Sequence, residues 1–435
     1  MKIKKSPELL SPAGTMQHLR AAFAYGADAV YAGLPRYGLR VRENDFDLAE
    51  LGRAIEEAHQ QEKRLYVTSN ILAHNSKVHT FESDIEEVIA LGPDALIMAD
   101  PGLIHIVREC WPEQTIHLSV QANTVNYAAV KFWKQMGIER VILSRELSLD
   151  EVEEIRQQCP DMELEVFVHG ALCMAYSGRC LLSGYINHRD ANQGSCTNAC
   201  RWEYREVASE VDDSGDLMVV EGRPESQRIL IEEMGRPGKP IPLEEDEHGT
   251  YIMNSRDLRA VEHIQRLVEI GVDSLKIEGR TKSIYYVSRV TQAYRRAIDD
   301  AVSGRSFDPS LLAELENLAS RGYTDGFFKR HHSEEYQNYI QGNSQGHRQL
   351  YVAEITDYDP QQKQATLLAK NRFSVGDRVE LILPQGNREF QLDYIENLRG
   401  ESIDLVPGGG HQARIPLDLS AEGGEFSFGM VARFL

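Results

Sequence analysis

Four of the six cysteines in this 435-residue chain lie within one short stretch. Cys173, Cys180, Cys196 and Cys200 have six, fifteen and three residues between neighbours. Four thiolates from one loop can bind a structural zinc ion or an iron–sulfur cluster. Structural zinc sites usually take cysteines in pairs with about two to four residues between them, and only Cys196 and Cys200 come near that spacing. The wider gaps therefore favour a [4Fe–4S] cluster, with zinc and unligated thiols as the alternatives.

Composition and charge limit the classes of function. The chain is 42% hydrophobic and 26% charged, which is typical of a globular protein. It has no apolar run near the roughly 18 residues that cross a membrane, and its start, MKIKKSPELLSPAG, does not resemble a signal peptide. We therefore expect a cytoplasmic protein with no membrane partner, in which clustered cysteines stay reduced. The net charge of −20 argues against non-specific binding of a phosphate backbone, although a local basic patch can still serve one RNA.

A helix-to-strand connection recurs along the chain. The segments AFAYGADAVYAG, EVIALGPDALIMAD, KQMGIERVILSR and RLVEIGVDSLKIEG each end an amphipathic run at a glycine and then begin an apolar strand. This pattern is typical of the αβ loops in parallel α/β proteins, where glycine ends the helix in a left-handed conformation. Eight strands are predicted: Leu9–Pro12, Asp28–Gly33, Leu65–Asn70, Ala95–Asp100, Ile116–Gln121, Arg140–Arg145, Leu164–His169 and Ser274–Gly279.

Eight β/α units predict a TIM-type (β/α)8 barrel over residues 1–330, with a doubly wound open sheet as the alternative. Polar residues recur on one face of the strands, as at Thr68 and Asn70 or at His117 and Ser119. Central strands of an open sheet would instead be apolar almost throughout, because both faces are covered. The alternation therefore favours a barrel with a polar lumen. The largest insertion, residues 171–250, follows the seventh strand and carries the cysteine loop and then a charged, mobile segment.

The chain changes character after the barrel. Residues 331–349 form a polar linker, and residues 350–435 consist of short alternating runs separated by turns such as VGD and PQGN. This pattern predicts a small C-terminal antiparallel β-barrel. Such a domain either positions an RNA or a partner, or only adds stability.

The mouth of the barrel is the expected site of chemistry, because catalytic residues of TIM barrels lie at the C-terminal ends of the strands. The cysteine loop leaves from the same face. The strand ends supply polar side chains at Ser11, Asn70, Asp100, Gln121, Asn123, Arg145, His169, Glu278 and Arg280. We interpret His169 and Glu278 as the candidate acid–base residues, and Lys276 and Arg280 as part of an anion site. The alternatives are a structural role for His169 and a supporting salt bridge between Lys276 and Glu278.

The loop after the second strand, PRYGLRVREN, adds a cationic candidate to the same mouth. It contains Arg36, Arg40 and Arg42 with Tyr37. Arginines beside an aromatic ring suit phosphates and a stacked base, and they equally suit a dicarboxylate. We therefore assign these residues to substrate binding, with Tyr37 lining the base pocket. The alternative is a solvated loop in which the arginines pair with its own acidic residues.

The cysteine stretch also carries a recognisable signature. EVFVHGALC, ending at Cys173, and SGRCLLS, around Cys180, closely resemble the signature of the collagenase-like peptidase family U. The segments ELLSPAG, AYGADAVYAG and SLKIEGR resemble the same family, and the resemblance covers nearly all of the chain. It is strongest to the branch that makes 5-hydroxyuridine at the wobble position of tRNA. Other members hydroxylate a ribosomal RNA cytidine or act in oxygen-independent ubiquinone synthesis.

The resemblance implies a redox function with defined partners. It implies a [4Fe–4S] cluster on the four clustered cysteines and dependence on prephenate, a small dicarboxylate. It also implies tRNA as the partner, with an electron-donor protein as a further one. Each of these is an expectation for this chain.

The family name makes a peptidase the main alternative. The sequence has no HExxH zinc helix, and its GxSxG match, residues 342–346, lies in the polar linker and not at the strand-to-helix turn that a nucleophile elbow needs. A cysteine nucleophile stays open, because His169 lies four residues before Cys173. One nucleophile would leave the other clustered cysteines unexplained, so an RNA-modifying redox enzyme is favoured. A non-catalytic scaffold that bears a cluster is the weaker third reading.

Overall fold

The computed structural model describes the barrel and the C-terminal domain almost completely. The described residues are 5–34, 36–38, 46–171, 257–316, 318, 323–329, 349–419 and 426–435, with the backbone of short strands between 209 and 251. Several predicted features lie outside these residues: linker positions 331–348, Arg40, Arg42, Cys173, Cys180, Cys196 and Cys200.

Eight parallel strands form a closed barrel. They are β1 (Glu8–Pro12), β2 (Ala29–Gly33), β3 (Arg64–Ser69), β4 (Ala95–Met98), β5 (Ile116–Leu118), β6 (Arg140–Ile142), β7 (Glu163–Ala171) and β8 (Ser274–Ile277). Each strand pairs in parallel with the next, and β8 pairs with both β7 and β1, which closes the ring. The predicted TIM-type barrel is therefore confirmed, and the open-sheet alternative is wrong.

Helices cover the outside of the barrel. They are α1 (Met16–Ala24), α2 (Leu48–Gln60), α3 (Asn75–Ala90), α4 (Pro101–Cys110), α5 (Tyr127–Gln135), α6 (Leu149–Gln158), α7 (Ile264–Ile270), α8 (Ile284–Val302) and α9 (Ser310–Glu316). Local sequence fixes their ends, as in the capping box that Ser148 and Glu151 form at the start of α6. The predicted left-handed glycines at the helix ends are confirmed by positive φ angles at Gly26, Gly92, Gly137 and Gly271. None of the described helices is long and apolar enough to span a membrane.

Strand β7 continues beyond the barrel. Its last residues, from His169 to Ala171, pair antiparallel with residues 257–259, which in turn pair with residues 323–324. Within the insertion, residues 209–211 pair with 217–219, and 241–246 pair with both 229–231 and 249–251. The extension of β7 therefore carries the chain from the C-terminal face of the barrel into the cysteine loop.

The C-terminal domain is antiparallel, as predicted. Its strands are β9 (Gln349–Asp359), β10 (Gln364–Ala369), β11 (Phe373–Ser374), β12 (Arg378–Leu383), β13 (Gly386–Gln391), β14 (Leu405–Val406), β15 (Gln412–Pro416) and β16 (Met430–Phe434). Six of them form one sheet in the order β13-β12-β16-β9-β10-β15. They enclose a hydrophobic core of their own.

Buried polar contacts hold the C-terminal sheet against α1 and α8. The Tyr25 hydroxyl donates to the carbonyls of Ile382, at 3.2 Å, and Phe428, at 2.9 Å. On α8, Arg289 lies 3.2 Å from Glu380, and its side chain is only 2% exposed. These contacts are directional and largely desolvated, so the sheet docks on the helix layer in one defined orientation.

Candidate active site

A buried ion network fills the lower lumen. Arg140 Nη1 on β6 lies 2.6 Å from Glu8 Oε1 on β1 and 3.2 Å from Glu165 Oε2 on β7. Lys276 Nζ on β8 lies 3.0 Å from the other oxygen of Glu165. Because β1 and β6 are not neighbours, the contact between Arg140 and Glu8 crosses the lumen. Charged groups thus occupy the place where bulky aliphatic layers usually fill such barrels.

Opposite charges in the network counteract the effect of burial on Glu8 and Lys276. Burial acts to raise the pKa of Glu8, but the charges of Arg140 and Arg64 hold this pKa below its ordinary value. Burial lowers the pKa of Lys276, and attraction to Glu165 opposes that shift. Arg140 was not among the site residues predicted from the sequence. A charged residue at the start of an apolar strand was the available signal.

His117 lies in the same lumen as a neutral ring. It packs against Tyr66 with ring centroids 4.7 Å apart. Burial, together with the charges of Arg140 and Lys276, lowers the pKa of His117 well below its ordinary value. The imidazole therefore adds no charge to the network at neutral pH.

Arg280 crosses the mouth above this network. It follows β8, and its Nη1 donates to Thr68 Oγ1 on β3 at 2.9 Å. Its guanidinium carbon lies 5.8 Å from the centre of the Tyr31 ring. A Cβ on Gly33 would lie 2.7 Å from Arg280 Nη1 and would also clash with Thr68 Oγ1. The missing side chain at Gly33 therefore makes room for the guanidinium.

Arg145 and Glu278 form a second contact across the mouth. Arg145 Nη2, after β6, lies 3.1 Å from Glu278 Oε2, after β8. The guanidinium carbon of Arg145 also stacks 3.8 Å from the centre of the Phe167 ring. The salt bridge considered between Lys276 and Glu278 is therefore wrong in its pairing. Lys276 pairs with Glu165, and Glu278 pairs with Arg145, because the two residues lie at different heights in the barrel.

Amide and hydroxyl side chains form the opposite part of the mouth. We call these three residues, Asn70, Ser119 and Gln121, the amide cluster. Asn70 Nδ2 donates to Gln121 Oε1 at 3.1 Å and to Ser119 Oγ at 3.2 Å, and the Ser119 hydroxyl also donates to Gln121 Oε1. Asn70 follows β3 and Gln121 follows β5, so the cluster bridges the end of β4. It places polar hydrogen-bonding groups beside the open end of the lumen.

His169 faces the helix layer instead of the lumen. Its Nδ1 lies 3.3 Å from the hydroxyl of Tyr294 on α8, and its Nε2 lies 3.3 Å from the hydroxyl of Tyr323. Burial, with the charges of Arg259 and Lys282, lowers the pKa of His169 to about 3. Both ring nitrogens are engaged by tyrosines, so the predicted acid–base role does not fit this position. The ring instead holds the extension of β7 from which the cysteine loop leaves.

The pH dependence of stability should reveal this neutral histidine. Between its unfolded value near 6.5 and its folded value of about 3, the unfolded chain binds a proton that the folded chain does not. The contribution of His169 to the free energy of unfolding is therefore fully present above pH 6.5 and is lost as the pH falls below that value. We expect the free energy of unfolding of the wild type to fall, relative to His169→Gln, by about 1.4 kcal/mol per pH unit below about pH 6. Urea unfolding of both proteins at neutral and mildly acidic pH measures the difference, and parallel pH profiles would contradict a neutral buried His169.

Arg36 and Tyr37 pack against α3. Arg36 Nη1 donates to Asp84 Oδ1 at 2.9 Å, and its Nη2 donates to Thr80 Oγ1 at 2.8 Å. The Tyr37 hydroxyl donates to Asp84 Oδ2 at 2.5 Å, and its ring meets Phe81 edge-on at 5.2 Å. Tyr37 is 6% exposed, so the predicted stacking of a base on this ring does not fit. Arg36 therefore pairs with α3, whereas the loop-internal pairing considered for Arg40 and Arg42 lies outside the described residues.

One group of described residues has side chains of the kind that bind metal ions. Glu262, His263 and Asp325 place ligand atoms within 4.8 Å of one another. Lys329 Nζ lies 3.0 Å from Glu262 and 3.4 Å from Asp325, so an ammonium already supplies the positive charge there. This group is therefore a structural ion cluster, and the clustered cysteines remain the candidate metal ligands.

Comparisons with known proteins cover both parts of the chain. The family described as peptidase family U32 matches residues 14–338, and the peptidase family U32 C-terminal domain matches residues 347–426. tRNA hydroxylation protein P of Escherichia coli is 57% identical over 430 residues, which cover 96% of this chain and 95% of that protein. The protein of the same name from Haemophilus influenzae is 55% identical over 433 residues, covering 95% and 94%. The 23S rRNA 5-hydroxycytidine C2501 synthase of Escherichia coli is 31% identical over 323 residues, covering 74% of this chain and 42% of that protein.

Proposed function

The chain belongs to peptidase family U32, and from that premise we propose that it is an enzyme that hydroxylates tRNA, forming 5-hydroxyuridine at the wobble position. The observation that carries the proposal is the 57% identity to tRNA hydroxylation protein P over 96% of this chain. The barrel supports it, because cations and amides converge on a mouth of the kind that accepts one splayed-out base. The net charge of −20 is compatible with RNA binding that is confined to this small surface.

The reaction needs redox chemistry, and the clustered cysteines fit it. Converting uridine to 5-hydroxyuridine replaces a C–H bond of the base with a C–O bond, which is a two-electron oxidation. We propose that Cys173, Cys180, Cys196 and Cys200 hold a [4Fe–4S] cluster, since four thiols are its usual ligand set. Such a cluster, when bound, would supply one-electron transfer. The two electrons that leave the base would pass to an oxidant that provides the oxygen atom, and an electron-donor protein is the further partner, which would reduce the cluster. The described strand β7 ends at Ala171, two residues before Cys173, so the loop begins at the mouth.

The cations of the mouth suit a small dicarboxylate. We assign Arg280 and Lys276 to an anion site for prephenate, together with Arg40 and Arg42 of the loop after β2. The guanidinium of Arg280 can bind a carboxylate through two parallel hydrogen bonds. Lys276 lies deeper in the lumen, 3.0 Å from Glu165, and is the second cation that we assign to this site. Glu278, oriented by Arg145, is the candidate acceptor for the proton that leaves the base.

A peptidase remains the alternative, as the family name states. The candidate nucleophile of that alternative, Cys173, lies outside the described residues, whereas its candidate base, His169, lies within them. Cys110 is exposed at the end of α4, and Cys159 donates to the carbonyl of Tyr127 at 3.6 Å. His169 is engaged by tyrosine hydroxyls on the side of the helices. With both ring nitrogens hydrogen-bonded to tyrosines, His169 is a poor general base for Cys173, which favours hydroxylation over nucleophilic catalysis.

Nucleoside analysis of tRNA tests the proposed function. A strain that lacks this chain should contain tRNA without 5-hydroxyuridine and its derivatives, and expression of the wild-type chain should restore them. An unchanged nucleoside profile in the deletion strain would contradict the proposal. Cleavage of collagen or peptides by the purified protein would then support the peptidase alternative.

The proposed cluster has a direct chemical test. Protein purified without oxygen should be brown and contain iron and sulfide, whereas Cys196→Ala should lose the colour and most of both elements, because three thiolates hold a cluster poorly. Cys110→Ala is the matched control, since this cysteine lies outside the set and on the surface of α4. A colourless wild-type protein that contains zinc would contradict the cluster.

A further inference from the structure

The amide cluster holds the side chain of Gln121 in one orientation. Two donors, Asn70 Nδ2 and the Ser119 hydroxyl, occupy Gln121 Oε1. Asn70 and Ser119 are only 8% and 2% exposed, whereas Gln121 is partly exposed. The buried pair therefore fixes the direction of a more accessible amide. In the described part of the chain, no residue accepts a hydrogen bond from Gln121 Nε2.

The backbone around Gln121 is fixed as well. Gln121 lies in the short turn Val120–Ala122 that follows β5. Asn123 has a φ angle of 53°, and its Nδ2 donates to the backbone carbonyl of Gln121 at 2.8 Å. Asparagine is one of the few residues that adopt this left-handed conformation readily. Backbone and side-chain contacts thus hold the amide of Gln121 at the mouth with Nε2 as the group left to donate.

We propose that Gln121 Nε2 donates to O4 of the target uracil and so makes the site select uridine over cytidine. This inference rests on the proposed function. Uracil has a carbonyl oxygen at C4, which accepts a hydrogen bond, whereas cytosine has an amino group there, which donates. A donor fixed by Asn70 and Ser119 therefore pairs with uracil and faces another donor in cytosine. Sites built to form such a bond reject the analogue that leaves it unmade.

The family context makes this selection meaningful. A relative of this chain is named as the synthase of a 5-hydroxycytidine in ribosomal RNA. If this chain acts on uridine, as proposed above, members of one family act on either pyrimidine, and the group at C4 distinguishes the two bases. A single side chain that presents a donor to C4 is sufficient to set this preference.

Exchange of Gln121 tests the proposal. Anticodon stem-loops with uridine or cytidine at the wobble position compete for hydroxylation in an extract of a strain that lacks this chain, to which the purified protein is added. Gln121→Glu presents an acceptor instead of a donor, and Gln121→Ala removes the group. We expect the uridine-to-cytidine ratio of products to fall by about 10- to 100-fold in Gln121→Glu, and towards unity in Gln121→Ala. Iron content and the unfolding midpoint of each variant confirm that the protein is folded and loaded.

The possible outcomes separate this inference from the function on which it rests. If the wild type hydroxylates neither stem-loop, the proposed function fails. If the wild type acts on uridine and both variants keep its preference, the function stands and the role of Gln121 is wrong. If Gln121→Glu is inactive on both substrates, the ratio measured for Gln121→Ala decides: a lost preference supports the proposal and a retained one overturns it.

Discussion

Replacing Arg140 with methionine should lower the free energy of unfolding by about 3–5 kcal/mol, as removal of one partner from a buried ion pair does. The side chain of Arg140 is 3% exposed and neutralises Glu8 and Glu165, whose side chains are 4% and 0% exposed. Without it, two carboxylates remain in the lumen with less compensating charge. Urea or guanidinium unfolding of the purified variant measures the loss.

An exposed ion pair gives the matched control. Arg378 pairs with Glu389 on the C-terminal sheet, where the two side chains are 60% and 48% exposed. Arg378→Met should change the free energy of unfolding by less than about 1 kcal/mol, because solvent screens such pairs. If Arg140→Met were no more destabilising than this control, the buried network would not be what holds the lumen together.

Replacing Arg280 with glutamine should weaken the binding of prephenate by about 10- to 100-fold, which corresponds to the loss of charge-assisted hydrogen bonds. Thr68 and the open space at Gly33 position this guanidinium across the mouth. Glutamine keeps the polarity and much of the volume but removes the charge and the bidentate fork. Isothermal titration of prephenate into the purified protein measures the dissociation constant.

Two further variants sharpen that measurement. Arg305 is 60% exposed and pairs with Asp300 at the end of α8, so Arg305→Gln should leave prephenate binding unchanged. Arg280→Lys keeps the charge without the fork and should bind with intermediate strength. Unchanged binding by Arg280→Gln would remove this residue from the anion site.

The barrel could be predicted because its signals are local. Each glycine that ends a helix and each alternating strand is encoded within a few residues, and the eight strands form where these patterns placed them. The lumen network could not be predicted in the same way. Glu8 and Arg140 are 132 residues apart, and only closure of the barrel brings them together. Their pairing is therefore a property of the topology and not of either strand.

The alternation of side chains along β7 was insufficient to predict the direction in which His169 points. Phe167 pairs with Lys276, but the register then shifts, and His169 pairs with Ile277. Val168 is thus an extra residue in β7 without a partner in β8. It reverses the alternation of side chains along β7, so His169 faces α8 instead of the lumen. Tyr37 was misplaced for a different reason. Its partner Asp84 lies 47 residues away on α3, and no local pattern connects the two.

We propose that tRNA hydroxylation depends on the clustered cysteines, Cys173, Cys180, Cys196 and Cys200. The most direct measurement is the 5-hydroxyuridine content of tRNA in a strain that lacks the native chain and expresses the wild type, Cys196→Ala or Cys110→Ala at equal protein levels. The wild type and Cys110→Ala should restore the nucleoside, and Cys196→Ala should not. Restoration by Cys196→Ala to the wild-type level would contradict a role of the clustered cysteines in hydroxylation.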